Sequence, residues 1–148
     1  MAQITLIEAV TMALAHEMAR DPSVIVLGED VGGNGGVFRA TTGLQEKFGA
    51  ERVIDTPLDE TSIAGLTVGM ATQGMRPVAA IYSTFLQRAF DQVFQEVVLQ
   101  GLPVMFCIDR AGLVGGDGAV HHGFLDITYL RGFPGVVLMA PMDEPELM

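Results

Sequence analysis

Val24-Ile25-Val26-Leu27 is an uninterrupted apolar run between Asp21-Pro22 and Gly28-Glu29-Asp30. A run with no polar face belongs to a strand covered on both sides, as in parallel sheets sandwiched between helices. The flanking chain fits that demand. Thr5-Leu6-Ile7-Glu8 forms a capping box, and Leu6, Val10, Ala13, Leu14 and Met18 recur at helical spacing up to Arg20. Beyond the run, a glycine-rich loop over residues 31–39, a short helix over 42–48 and a strand over 52–55 are predicted. Thr56 is expected to cap the next helix, with Pro57 in its first turn and Gly74 just past its end. A third strand over 78–82 leads into a helix capped by Ser83 or Thr84, which carries Leu86, Ala89, Val93 and Val97 and stops at Gly101 and Pro103. A fourth strand over 104–108, a helical piece over 125–130, a fifth strand over 136–139 and a helix beginning at Pro141 complete the pattern. Strands alternating with helices predict an α/β fold, a doubly wound and mainly parallel sheet of five to six strands with helices on both faces.

The 148 residues suit one domain with a real core, and 49% apolar content with mean hydropathy +0.40 excludes a disordered chain. A single domain over residues 1–148, cut short in its last helix or strand, is expected. No apolar run approaches the roughly 18 residues of a membrane span, and residues 1–6 lack a signal-peptide pattern, so a cytoplasmic protein is expected. Eight basic against eighteen acidic residues, a formal charge of -10, argue against nucleic acid and anionic membranes as partners. Cys107, the single cysteine, lies within the apolar run 104–108 and reads as a buried, inert thiol.

In an open parallel sheet, ligands bind beyond the carboxyl ends of the strands. The polar residues that follow those ends are Glu29 and Asp30, then Asp55 and Glu60, then Tyr82 and Phe85, then Asp109, Arg110, Asp117 and His121. Glu60 stands at a strand-to-helix join, which makes it a site candidate on position alone. Several sharper motifs fail. Gly116-Asp117-Gly118 has no asparagine downstream to complete a diphosphate and magnesium motif, so a turn accounts for it better. His121-His122 has no cysteine or carboxylate at zinc-ligand spacing, and no metal ligand is assigned. No Gly-x-Ser-x-Gly elbow is present. A flavodoxin-like nucleotide site would need a phosphate loop where this chain has Gly28-Glu29-Asp30, the wrong charge for an anion.

Longer motifs carry a resemblance. Gly28-Glu29-Asp30-Val31-Gly32, Gly35-Gly36-Val37-Phe38-Arg39 and Asp55-Thr56-Pro57-Leu58-Asp59-Glu60 resemble the beta subunit of the thiamine-diphosphate component of pyruvate and branched-chain 2-oxo acid dehydrogenases. Ala80-Ile81-Tyr82-Ser83-Thr84-Phe85-Leu86-Gln87-Arg88-Ala89, Ile108-Asp109-Arg110-Ala111-Gly112 and Tyr129-Leu130-Arg131 resemble 1-deoxy-D-xylulose-5-phosphate synthase. Both stretches are similar to the pyrimidine-binding domain of the transketolase-like superfamily. The change of likeness near residue 79 suggests a chimera, a reconstructed ancestor or a design.

The resemblance implies a role for each matching residue. Glu60 would bond the aminopyrimidine ring nitrogen of thiamine diphosphate and favour the imino tautomer that generates the ylide. Phe85 would stack on that ring, with Glu60 and Phe85 expected on adjacent strand ends. Glu29 and Tyr82 would lie near the cofactor, while Tyr82, Arg88, Arg110, Asp117 and His121 match the substrate pocket, His121 with a catalytic part. Two departures from the synthase pattern are His122, where glutamine is usual, and a further arginine that would lie beyond Met148. The resemblance further implies an enzyme component acting on 2-oxo acids that holds only the aminopyrimidine end. Magnesium and the diphosphate would need a partner domain or subunit, an isolated chain would not turn over, and a homodimer is expected. The alternative is a domain that folds and self-associates without cofactor or catalysis.

Overall fold

The structure is a computed structural model and is described for residues 4–147. Its elements follow the predicted order: α1 (Leu6–Arg20), β1 (Val24–Gly28), α2 (Leu44–Phe48), β2 (Val53–Asp55), α3 (Glu60–Thr72), β3 (Arg76–Tyr82), α4 (Ser83–Leu86), β4 (Met105–Asp109), α5 (Asp126–Leu130) and α6 (Glu144–Leu147). The capping box forms as expected, with the Glu8 amide donating to Thr5 Oγ1 at 3.2 Å and the Thr5 amide donating to Glu8 Oε2 at 2.7 Å. After α4 the helical path continues through a 3-10 turn, Gln87–Ala89, and a π-helical stretch, Gln92–Val98. Gly101, with φ +62°, ends it.

All strand pairs are parallel, in the order β2-β1-β3-β4. The alternation of side chains along each strand supplies two cores. Val24, Val26 and Val78 point to one face, where they join Met18 of α1, Leu44 of α2 and Val53. Leu27, Ala79 and Ile81 point to the other, with Ile63 and Ala64 of α3, Leu86 and Val93. Full burial on both faces is why β1 needs an unbroken apolar sequence. Arg52 ties the first layer together by donating to the carbonyls of Val24 at 2.8 Å, Met18 at 2.9 Å and Asp21 at 3.0 Å. Gly28 is required where β1 meets β3, because a Cβ there would lie 2.5 Å from the Ala80 carbonyl oxygen.

Four expectations are corrected. Residues 136–139 form no strand, and the sheet has four strands among the described residues rather than five or six. An apolar run becomes a strand only where its backbone finds an edge; this one finds none and leaves Val137 79% and Met139 71% exposed. Thr56 does not cap α3; Asp59 stands at the N-cap position, its carboxylate accepting from the Thr61 and Ser62 hydroxyls rather than from the helix backbone. The Thr56 amide instead donates to the Gly28 carbonyl at 2.9 Å, so the chain stays extended beyond β2 and turns only at Pro57. Neither Ser83 nor Thr84 caps α4, whose N-cap is Tyr82, because the Ser83 hydroxyl is drawn to Asp126. Finally, β2 and β3 are not adjacent, since β1 lies between them. The predicted last helix is shortened to α6, and its expected end at Met148 lies outside the described residues.

Candidate active site

The chain winds from β1 to β2 in one direction and from β3 to β4 in the other, so the switch point lies between β1 and β3. The candidate residues gather at the carboxyl edge on either side of it. Glu60 is the first residue of α3 and only 4% exposed, beside the buried Ile63 and Ala64. Although β1 separates the two strands, Glu60 and Phe85 are joined by one side chain. Arg88 Nη1 donates to Glu60 Oε1 at 3.0 Å and to Oε2 at 3.2 Å, while the guanidinium lies 4.8 Å from the centre of the Phe85 ring. This is the first half of the site.

The second half is built around Tyr82 at the end of β3. Its ring centre is 5.0 Å from that of Phe85 and 5.5 Å from that of His121, and the Phe85 and His121 rings meet edge-on at 5.4 Å. The Tyr82 hydroxyl donates to Asp117 Oδ2 at 2.8 Å and accepts from Arg110 Nη1 at 3.0 Å. Arg110 also pairs with Asp117 and lies between the faces of Tyr82 and Phe38, 4.8 and 5.0 Å from their centres. His121 Nδ1 is 3.0 Å from the Asp117 carbonyl oxygen, which can only accept, so Nδ1 carries a proton and Nε2 is left as the acceptor in the neutral ring. The glycines around Asp117 form the expected turn, which with Phe38 and Arg110 lines an open pocket of about 380 Å³.

Carboxylates surround the join. Glu29, half-buried after β1, has its pKa pushed up first by burial and then by Glu60, Asp30 and Asp109, with Arg88 opposing. Burial also pushes up Asp109, whose Oδ1 is buried without a hydrogen-bond partner. Asp30 and Arg110, each just past a strand end, hold left-handed backbones with φ +56° and +55°, strain of a kind that collects at functional sites. Cys107 is half-buried, and burial raises its pKa, as befits an unreactive thiol.

The structure thus brings together all eight predicted residues. Glu60, Arg88 and Phe85 form one contact set with Glu29 beside it; Tyr82, Arg110, Asp117 and His121 form another. It adds Phe38 under Arg110, and the buried pair of Ser83 and Asp126, 2.8 Å apart. Asp109 lies at the end of β4, where the positional rule that singled out Glu29 also put it. Phe38 lies within a motif of the resemblance, but its place under Arg110 depends on how its loop folds back. Among the described residues, no group of three or more His, Cys, Asp or Glu side chains is placed to hold a metal ion, and no helix is long and apolar enough to cross a membrane.

Known proteins are similar to this chain. Relatives include 1-deoxy-D-xylulose-5-phosphate synthase of Gloeobacter violaceus, 57% identical over 103 residues, and that of Synechococcus sp. (strain JA-2-3B'a(2-13)), 47% identical over 135 residues. These matches cover 70% and 91% of this chain but only 16% and 20% of the relatives' own lengths. Both are longer than the stretch from Ala80 to Met148, so the synthase likeness reaches back into the first half of the chain. Among solved structures, a chain described as "Split gene transketolase, inactive beta4 tetramer" shares the fold with a TM-score of 0.79 at 24% identity, covering 99% of this chain and 46% of that one. The family described as "Transketolase, pyrimidine binding domain" matches residues 2–148. With that match spanning nearly the whole sequence, on a parallel sheet whose carboxyl edge gathers Glu60, Phe85 and Tyr82, the chain belongs to the transketolase pyrimidine-binding domain family.

Proposed function

We propose that this chain holds the aminopyrimidine end of thiamine diphosphate in an enzyme that acts on 2-oxo acids. The observation that carries the reading is the placement of Arg88. Its guanidinium is a planar donor lying on Phe85 while bonding Glu60. An aminopyrimidine needs the same two contacts, an aromatic face and a carboxylate at its edge, so the guanidinium's position supports the reading that the two partners suit one flat group.

When bound, thiamine diphosphate supplies the carbon nucleophile that adds to the keto carbon of the substrate. The chain's own residues orient and hold protons. Glu60 would accept a hydrogen bond from the aminopyrimidine ring nitrogen and favour a proton there, and Phe85 would offer its face to the ring. Glu29, with its raised pKa, takes on a proton more readily than an ordinary glutamate and so limits repulsion beside Glu60. Tyr82, Arg110 and Asp117 bind the substrate, with Arg110 available to a carboxylate or phosphate once it leaves Asp117. His121 offers Nε2 to the substrate's hydroxyl or carboxyl group. Arg88, displaced from Glu60 by the ring, would be free to meet the substrate.

The diphosphate and magnesium fall to another domain or subunit, and the chain alone does not turn over. An apolar groove of about 550 Å³ along the outer side of α3, lined by Gly65, Leu66, Gly69 and Met70, offers a surface for that contact or for a second copy in a homodimer. The length of the synthase matches favours one synthase-like lineage over a junction near residue 79 and over a dehydrogenase subunit. Calorimetric titration with thiamine diphosphate and magnesium tests the reading. Binding that weakens in Glu60→Gln and in Phe85→Ala is expected; binding unchanged in both variants, or none by the folded chain, overturns it.

A further inference from the structure

We propose that the buried Ser83–Asp126 pair is a latch that sets His121 against the Tyr82 and Phe85 rings, making Ser83 and Asp126 positioning residues for the substrate end of the site. What His121 does there rests on the proposed function; the latch itself does not. Ser83 is 1% and Asp126 6% exposed, and Ser83 Oγ donates to Asp126 Oδ2 at 2.8 Å. A buried carboxylate and hydroxyl hold each other in a fixed direction, because either one left alone would lose its hydrogen bond with no water to replace it. Their places in the chain give the bond its consequence. Ser83 stands between Tyr82 and Phe85, whereas Asp126 lies just beyond the glycine-rich loop that carries His121. One bond therefore joins the two segments whose rings meet.

The backbone beside the latch is built for the same closure. The Gly112 amide donates to the Gly123 carbonyl at 2.7 Å, and the Gly123 amide donates back to the Gly112 carbonyl at 2.9 Å, which closes the root of the loop. That root presses on Ser83, since a Cβ at Gly123 would overlap the Ser83 hydroxyl. The bond from His121 Nδ1 to the Asp117 carbonyl stays within the loop and cannot fix the loop against β3. The bond from Tyr82 to Asp117 does cross, but at an exposed carboxylate open to water. The buried crossing at Ser83 is the one that solvent cannot replace.

The test uses the full chain labelled for NMR and needs no cofactor. Only three histidines are present, and His121→Asn assigns the ring signals of His121. Those signals are displaced by the neighbouring Tyr82 and Phe85 rings and so report the placement directly. Ser83→Ala and Asp126→Ala are expected to abolish that displacement. Both should also speed amide exchange over residues 113–122 by about tenfold or more, the factor that losing a hydrogen bond to a charged group implies. Leu27 and Ala79 in the core should keep their protection. Asp126→Asn, which retains an oxygen for Ser83 to donate to, should restore both readouts, and Gly123→Ala should fail in the manner of Ser83→Ala. Unchanged His121 signals in Ser83→Ala and Asp126→Ala would overturn the latch, as would protection falling equally at Leu27 and Ala79, which would make the pair a general support of the fold. A wild-type chain that fails to bind thiamine diphosphate would remove the proposed function and leave this result standing.

Discussion

Replacing Arg88 by alanine should make the protein less stable and its ligand affinity higher. The guanidinium makes two hydrogen bonds to the Glu60 carboxylate, 3.0 and 3.2 Å long. A hydrogen bond to a charged group is worth about 1.5–3 kcal/mol when protected from water. The Arg88 side chain is 61% exposed whereas that of Glu60 is only 6% exposed, so water screens one partner and the lower end applies, about 1–2 kcal/mol. Arg88→Ala should lower the unfolding free energy by that amount in a urea titration. A ring that takes Glu60 must first break the same bonds. Without Arg88 that work vanishes, and calorimetry with thiamine diphosphate and magnesium should show binding tighter by up to about 25-fold, since each 1.4 kcal/mol is a factor of ten. Arg88→Lys, which keeps the charge but loses the planar fork, should fall between. If Arg88→Ala weakens binding as much as Glu60→Gln does, Arg88 is part of the binding surface and its guanidinium does not occupy the ring's place.

Arg52→Ala removes donors to three backbone carbonyls and should lower stability by about 2–3 kcal/mol in denaturant, with no change in the His121 ring signals. Gly28→Ala drives a Cβ against the Ala80 carbonyl and should cost about 1–3 kcal/mol and loosen the pairing of β1 with β3, read by amide exchange at Leu27. The pH dependence has two opposed parts. Glu29 and Asp109 have raised pKa values, so the folded chain binds their protons first, and stability grows as pH falls through those raised values toward the ordinary carboxylate range. Glu8, Asp21 and Asp59 are held low by hydrogen bonds from Thr5, Ser23 and Ser62 respectively, so their contribution is lost as pH falls below the ordinary range. Thermal unfolding should therefore peak in mild acid, and Glu29→Gln with Asp109→Asn should flatten the rise on the alkaline side of that peak.

The fold was legible wherever burial leaves a local trace. The unbroken run of β1, the capping box at Thr5 and Gly74 with φ +86° after α3 each follow from the chemistry of a few neighbouring residues. What was not legible depends on distant partners. Thr56 has the side chain of a cap, yet its amide is claimed by Gly28, and Ser83 is claimed by Asp126. The run over residues 136–139 has strand composition but no edge to join. Of the site, Glu29, Glu60, Tyr82, Phe85, Arg110, Asp117 and His121 could be read from their positions after strands, and the motif resemblance supplied Arg88 and a role for each. Strand order could not be read, so the bridging of Glu60 and Phe85 by Arg88 across the width of β1 appears only in three dimensions.

Whether Glu60 and Phe85 receive an aminopyrimidine ring is tested by a transferred nuclear Overhauser experiment on thiamine diphosphate with this chain. Cross-relaxation is expected between the ring protons of Phe85 and the methyl and ring protons of the aminopyrimidine, absent in Phe85→Ala and weakened in Glu60→Gln. Bound ligand whose aminopyrimidine protons contact other aromatic residues and not Phe85 would contradict it.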